Sequence, residues 1–351
     1  MRNKLWFSLF LICLLPTFGH SETRISLFDQ VWLQEDVLEV ELVTDLDGLL
    51  TENENMEYQK ASVRFSSEDG LISSWDIKVK ARGRYRYRIC DFPPLKLNFK
   101  KGDLTDAGLA EFDSYKLVTH CFDDEAEAKD NVLREYMAYR LYNLVTDQSF
   151  RVQLVKITYK DDTDPRIIES RWGVLIESTD EMAQRIGGKE VELLNQPIEA
   201  FDTQAEHRMS VFQYLIGNAD YDLTTVRNVK LVKMEATGKL VPVPYDFDFS
   251  ILVGANYAVA NNNVGQYRVE DRVYLGFVHP EGEIRYMDKF YQSLRSDFED
   301  LIRQSDMVKR SNRQYMLKVI EGYFENIEVR KGIYVGAQTG TYSIPVEHFS
   351  K

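Results

Sequence analysis

An α+β protein in two unequal parts is predicted, a strand-rich first half followed by a helix-rich second half. Three observations carry that expectation. Apolar residues alternate with period two in most ordered segments up to about Glu177. Beyond it they recur at three-to-four spacing. The composition, 44% hydrophobic and 28% charged over 351 residues, is globular and long enough for a sizeable core.

Met1–Lys4 carries Arg2 and Lys4, Leu5–Leu15 is apolar, Pro16 breaks the run, and Gly19-His20-Ser21 offers small residues at a cleavage site. That pattern marks residues 1–21 as a secretory signal peptide, with an uncleaved anchor as the alternative. The run is too short to span a bilayer, so no transmembrane helix is expected in the mature chain. Strands follow at Leu38–Thr44, Ser74–Ala81, Leu95–Phe99 and Tyr115–Val118, with a cationic turn at Arg82–Arg88. If that turn is extended, its four arginines share one face. Asn131–Val145 is a helix, Val152–Tyr159 and Trp172–Glu177 form a hairpin, and Thr179–Ile186 is a short helix. Thr203–Ile216 is a helix stopped by Gly217. Val229–Lys233 pairs with a strand ending at Pro244, and Lys289–Ile302 and Ser311–Ile327 are amphipathic helices. The division is therefore 22–177 for the strand-rich part and 178–351 for the helix-rich part, and a cleft between them is the expected ligand site.

With 43 Lys+Arg against 56 Asp+Glu the net charge is −13, which argues against a nucleic-acid partner. Loss of the leader leaves Cys90 and Cys121, either a disulfide in an oxidising compartment or two small buried hydrophobes. His120, His207, His279 and His348 show no zinc-type spacing, so any metal is expected to be hard and oxygen-bound.

The chemistry concentrates in Asn218-Ala219-Asp220-Tyr221-Asp222, Asn228 and Asp246-Phe247-Asp248. All fall at ends of elements, and the intervening hairpin brings Asn228 beside Asp246. Carboxylates this close repel unless a cation joins them, and Mg²⁺ with carboxylates, waters and phosphate oxygens is the natural occupant. Loop capping explains a single such Asp, but explains the convergent set poorly. The spacing does not fit an EF-hand calcium loop. Arg82, Arg84, Arg86 and Arg88, on a turn beside the strand that carries Lys96, supply a candidate phosphate-binding half, with Glu135 on the following helix placed to pair with Lys96; a solvated basic strand and an ordinary helix-surface Glu are the alternative.

Three stretches resemble the spore-coat-protein-H (CotH-like) atypical kinases. They are Lys80-Ala81-Arg82-Gly83-Arg84 with Phe92–Leu97; Leu133–Tyr136 with Trp172–Glu177; and Gly217-Asn218-Ala219-Asp220 with Asn228 and Pro244-Tyr245-Asp246-Phe247-Asp248. The resemblance spans Ile77 to Tyr257. It implies a bilobed protein-kinase-like fold, ATP with Mg²⁺ or Mn²⁺ as cofactors, and Ser/Thr of secreted or surface proteins as acceptor. By the same resemblance Asp220 orients the acceptor hydroxyl, with Asp222 the alternative. Asn228, Asp246 and Asp248 hold metal, Lys96 and Glu135 form the phosphate-holding pair, and Glu177 ends the strand leading to the adenine-binding hinge. Arg84 stands where the family often has Asn. The competing expectation is a non-catalytic kinase-fold surface protein that binds a partner or a divalent ion.

Overall fold

The computed structural model describes residues 24–33, 36–50, 56–164, 166–325 and 342–344. The leader assigned to residues 1–21 and the end of the helix expected to reach Ile327 lie outside them. No helix among the described residues is long and apolar enough to cross a membrane.

Seven strands close into a barrel: β1 (Leu38–Thr44), β2 (Gln59–Ser67), β3 (Gly70–Ala81), β4 (Leu95–Asn98), β5 (Ser114–Val118), β6 (Val152–Asp161) and β7 (Ile168–Ile176). Their order is β1-β2-β3-β4-β5-β7-β6, and the barrel closes by parallel pairing of β1 with β6. Closure leaves no open strand edge. Short helices α1 (Leu27–Val31), α2 (Leu46–Leu50), α3 (Arg84–Ile89) and α4 (Lys101–Asp106) decorate the barrel. The longer α5 (Glu125–Val145) packs outside it, on β6 and β7. The remainder comprises α6 (Thr179–Arg185), α7 (Thr203–Ile216), α8 (Glu281–Gln304), α9 (Arg310–Phe324) and a sheet of order β10-β9-β8. Those strands are β8 (Gly188–Val191), β9 (Val229–Met234) and β10 (Leu240–Pro244). The class is therefore mixed α+β with a strand-rich barrel, as the residue periodicity predicts.

Two hydrophobic cores result, and strands β5 to β7 serve both. Side chains alternate across a strand. Leu117, Val155, Ile157 and Leu175 thus point into the barrel with Val40, Val63, Val79 and Leu97. Their chain neighbours Val118, Leu154, Val174 and Ile176 face outward, onto α5 and the helical core around Phe212, Phe247 and Tyr291. Helix α5 precedes Glu177 in the chain, yet its apolar residues belong to this second core.

The Arg82–Arg88 segment is not extended. Gly83, at φ 80°, turns the chain, and Arg84–Ile89 forms α3. Helical spacing sends Arg84 and Arg88 to solvent and Arg86 inward, so the four arginines do not share a face. The end of α3 is fastened by a Cys90–Cys121 disulfide. Backbone bonds add to it, from Asp91 N to Cys121 O (2.8 Å) and from Arg82 N to Pro94 O (2.7 Å).

Candidate functional site

Helix α7 delivers the first acid. Asp202 caps its start, accepting from Ala205 N at 2.9 Å, and Gly217 ends it in the left-handed conformation. The chain then turns through Asn218, whose Oδ1 accepts from the Asp220 amide at 3.0 Å. Hairpin β9–β10 delivers the rest. Val229 pairs with Pro244, and Tyr245 N donates to Asn228 O at 3.0 Å, so Asn228 and Asp246 leave the same end of the paired strands. Asn228 Nδ2 donates to Asp220 Oδ2 at 2.9 Å and to its carbonyl at 2.7 Å. Asp220, Asn228 and Asp246 therefore converge. Val226, Asn228 and Asp246 all have φ between 52° and 65°. For a β-branched valine that region is strained, and such strain gathers at functional sites.

Phe247 is buried against Tyr139 (4.8 Å between ring centroids) and Phe212 (5.8 Å), which directs its neighbours Asp246 and Asp248 the other way. Both meet Arg86. Its guanidinium bonds Asp246 Oδ1, lies 3.0 Å from Asp248 Oδ2 and 4.0 Å from Glu135 Oε1. Tyr85, next to Arg86, rests edge-on against Phe249 at 5.6 Å. Glu135 thus faces Arg86, where the sequence suggests Lys96, because α3 folds back between barrel and helices.

One arginine does not balance this cluster. Asp248 Oδ2 and Glu135 Oε1 are buried without a hydrogen bond, and the Arg86 contacts to them are ion pairs only. Burial pushes the Glu135 and Asp248 carboxyls up despite Arg86, and Asp246 adds to the shift in both. Burial also raises Asp220, opposed by Arg227 and reinforced by Asp246. Burial disfavours charge on Arg86, but Asp246 and Asp248 overcome it and hold the guanidinium protonated. The donor set is oxygen-rich and carries excess negative charge. Asp246 and Asp220 keep 23% and 27% of their side chains exposed, an open approach for a hard divalent cation.

Beside the acids stands a cationic row. Lys80 is opposite Lys96, and Lys96 opposite Lys116, on three neighbouring strands. Like charges in register repel. Lys96 is shifted down by burial and then by Lys80, Lys230 and Arg82. Lys116 is pushed down to about 7 by burial and then by Arg82 and Lys230. It bonds Thr179 Oγ1 at 2.6 Å and lies 5.5 Å from the ring of Tyr245, the residue before Asp246. Arg82 approaches the same ring at 6.0 Å. The row and the acid cluster are therefore contiguous. Lys116 and Lys230 have no signal in the sequence, since a lone lysine in a strand gains meaning only once the register is known. Labelling with a small acylating reagent, read by peptide mapping, should show Lys116 half-reactive near pH 7. A midpoint near the ~10.4 of an ordinary lysine would refute this environment.

The other expected residues lie apart. Asp222 Oδ1 accepts from Thr224 N (2.7 Å) and Thr225 N (2.8 Å), closing its own turn. Arg84 is exposed. Glu177 is fully buried, with both oxygens bonded by Arg151 and Arg185 at 2.8–2.9 Å. A separate cavity of about 780 Å³ is lined by Asp29, Arg151, Glu181 and Arg185. In its lining Arg151 meets Asp29 at 2.9 Å and Glu181 at 2.7 Å.

No family model matches the chain, and no curated protein matches it. Among solved structures it is similar to the proinflammatory kinase CtkA of Helicobacter pylori. That match has 10% identity and a TM-score of 0.38, and covers 69% of this chain and 94% of that one.

Proposed function

We propose that the protein is an exported, metal-dependent kinase of the CotH type that transfers the γ-phosphate of ATP to Ser or Thr of secreted or surface proteins. The observation that carries this reading is the contiguity of the Asp220–Asn228–Asp246 cluster with the Lys80–Lys96–Lys116 row, joined through Tyr245. Opposite charges side by side suit a polyphosphate whose tail meets a cation. Phosphoryl transfer asks little more of a protein than such positioning.

In this reading the lysine row and Arg82 grip phosphate oxygens. Asn228 and Asp246, with Asp248 behind them, hold Mg²⁺ or Mn²⁺, which when bound neutralises charge on the phosphates. Asp220 accepts the proton of the incoming hydroxyl, and the raised affinity of its carboxyl for protons suits that role. Asp222, engaged by its own turn, is the weaker candidate. The leader-like residues 1–21 and the Cys90–Cys121 disulfide support export.

The test is a thermal-shift series. ATP and Mn²⁺ together should raise the melting temperature more than either alone, because a ligand that binds only the folded state stabilises it. No shift at millimolar concentrations would refute the reading. One observation favours a second reading, a non-catalytic surface protein with a kinase-like site. The Arg86 guanidinium already lies among Glu135, Asp246 and Asp248. Calorimetry showing metal binding without nucleotide binding would select it.

A further inference from the structure

Away from the acid cluster and the lysine row, the cavity of about 780 Å³ is walled by stretches distant in the chain: the start of α1, the segment from α4 to β5, Arg151 just before β6, and α6. Its volume is that of a small-molecule site. Ser26 and Glu181 form its buried side, at 2% and 4% exposure. Glu181 Oε1 accepts from Ser26 Oγ at 2.5 Å and from Arg151 Nη2 at 2.7 Å, whereas its Oε2 is buried with no hydrogen-bond partner.

Positive charge is also short on that side. Arg151 is shared among Asp29 at 2.9 Å, Glu177 at 2.9 Å and Glu181 at 2.7 Å. Arg185 is drawn off by both oxygens of Glu177 and by the carbonyls of Asp147 and Ser149. Two guanidiniums therefore serve three carboxylates. Burial pushes the Glu181 carboxyl up to about 7 although Ser26 and Arg151 are bonded to it, and Glu177 adds to the rise. A buried carboxylate oxygen without a donor is costly, and an ammonium group supplies both the donor and the missing charge.

The exposed side of the cavity is different. Arg24 and Lys101 line it, and their side chains make no ion pair among the described residues. Glu111 and Asp180 line it as well, so this side is mixed in sign, which suits a ligand of balanced charge better than a polyanion. Leu109, Ala110 and Phe112 add an apolar wall.

We infer that this cavity binds a small zwitterion, a free amino acid or short peptide, with its ammonium at Glu181 and Asp29 and its carboxylate at Arg24 and Lys101. An apolar side chain of the ligand rests on Leu109 and Phe112. The site does not depend on the kinase reading, since none of Asp220, Asn228, Asp246 and the lysine row lines the cavity. The sequence hides it because its walls are far apart in the chain and Glu181 falls on a helix of only seven residues.

The test is titration calorimetry on the full chain, with leucine and the dipeptide Leu-Leu as probes. N-acetyl-Leu-Leu, Leu-Leu amide and putrescine serve as controls, and Glu181→Gln and the double variant Arg24→Met with Lys101→Met as altered proteins. One leucine or Leu-Leu should bind per chain. Acetylation, amidation, Glu181→Gln and the double variant should each weaken binding by about tenfold or more, the usual cost of one lost charged contact. Arg24 and Lys101 are exposed, so the double variant folds even if Glu181→Gln does not. The inference is overturned if neither probe binds at millimolar concentration, if the acetylated or amidated dipeptide binds as tightly as Leu-Leu, or if the double variant binds as the parent does. Putrescine binding more tightly than both probes would also overturn it, because the cavity would then answer to ammonium groups alone.

Discussion

Asp246→Asn should lose phosphate transfer and the joint stabilisation by ATP and Mn²⁺, yet fold as well as the parent. Asn is the chosen replacement because Asp246 sits at φ 65°, a region that Asn tolerates and Ala does not. The amide keeps the shape and can still accept from Arg86, but it removes one of the two charges placed to hold a cation. Losing one such charge-assisted contact in a partly desolvated site should cost at least about 3 kcal/mol, or roughly a hundredfold in transfer rate. Stability should move little or rise. The cluster has more carboxylates than cations, and Asp246 is among the groups that push Glu135 and Asp248 upward. Labelled ATP with a generic protein acceptor measures the first effect, and urea unfolding the second. Transfer that survives the substitution would remove Asp246 from the chemistry. Lost transfer with lost folding would leave Asp246 a structural residue.

What the sequence makes legible here is local, and what it hides depends on register. Helix α7 appears with its observed bounds because its apolar residues recur at helical spacing and Gly217 stops it, both signals local to the helix. The approach of Asn228 to Asp246 follows from two apolar strands joined by a short turn at Ala236-Thr237-Gly238. Strand β2 escapes such reading because Val63 and Phe65 are its only fully buried apolar residues, so its alternation is weak. Helix α3 escapes for a different reason. Arg-Tyr-Arg-Tyr-Arg has the period of a strand, and its helical form answers to tertiary demands: a disulfide at one end and three carboxylates waiting for Arg86. The same blindness misassigned the partner of Glu135. Lys96 is close in sequence pattern, but the fold inserts Arg86 first. Barrel closure by β1 and β6 is a parallel pairing between distant segments, which no local pattern announces.

Arg86→Met should be the most damaging single substitution in the acid cluster, and its cost should depend on pH. Methionine fills much of the same volume, so packing is largely kept. What is lost is the cation among Glu135, Asp246 and Asp248, two of which are almost fully buried. Breaking a buried charge network by removing one partner costs about 3–5 kcal/mol, chiefly through the uncompensated charge left behind. Burial already raises the Glu135 and Asp248 carboxyls in the folded protein, and without Arg86 they rise further. A carboxyl whose folded pKa exceeds its unfolded value binds its proton more tightly when folded. Its favourable effect is therefore complete below the unfolded pKa, about 4, and disappears as pH rises through the folded pKa. The stability gap between parent and Arg86→Met should accordingly be widest at pH 8 and narrow steadily toward pH 5. Arg86→Lys, which restores charge without the planar fork, should fall between them. Urea midpoints for all three proteins at pH 5, 6, 7 and 8 decide the matter. A gap of constant size would mean that Arg86 matters for its packing, and the electrostatic account of this cluster would fail.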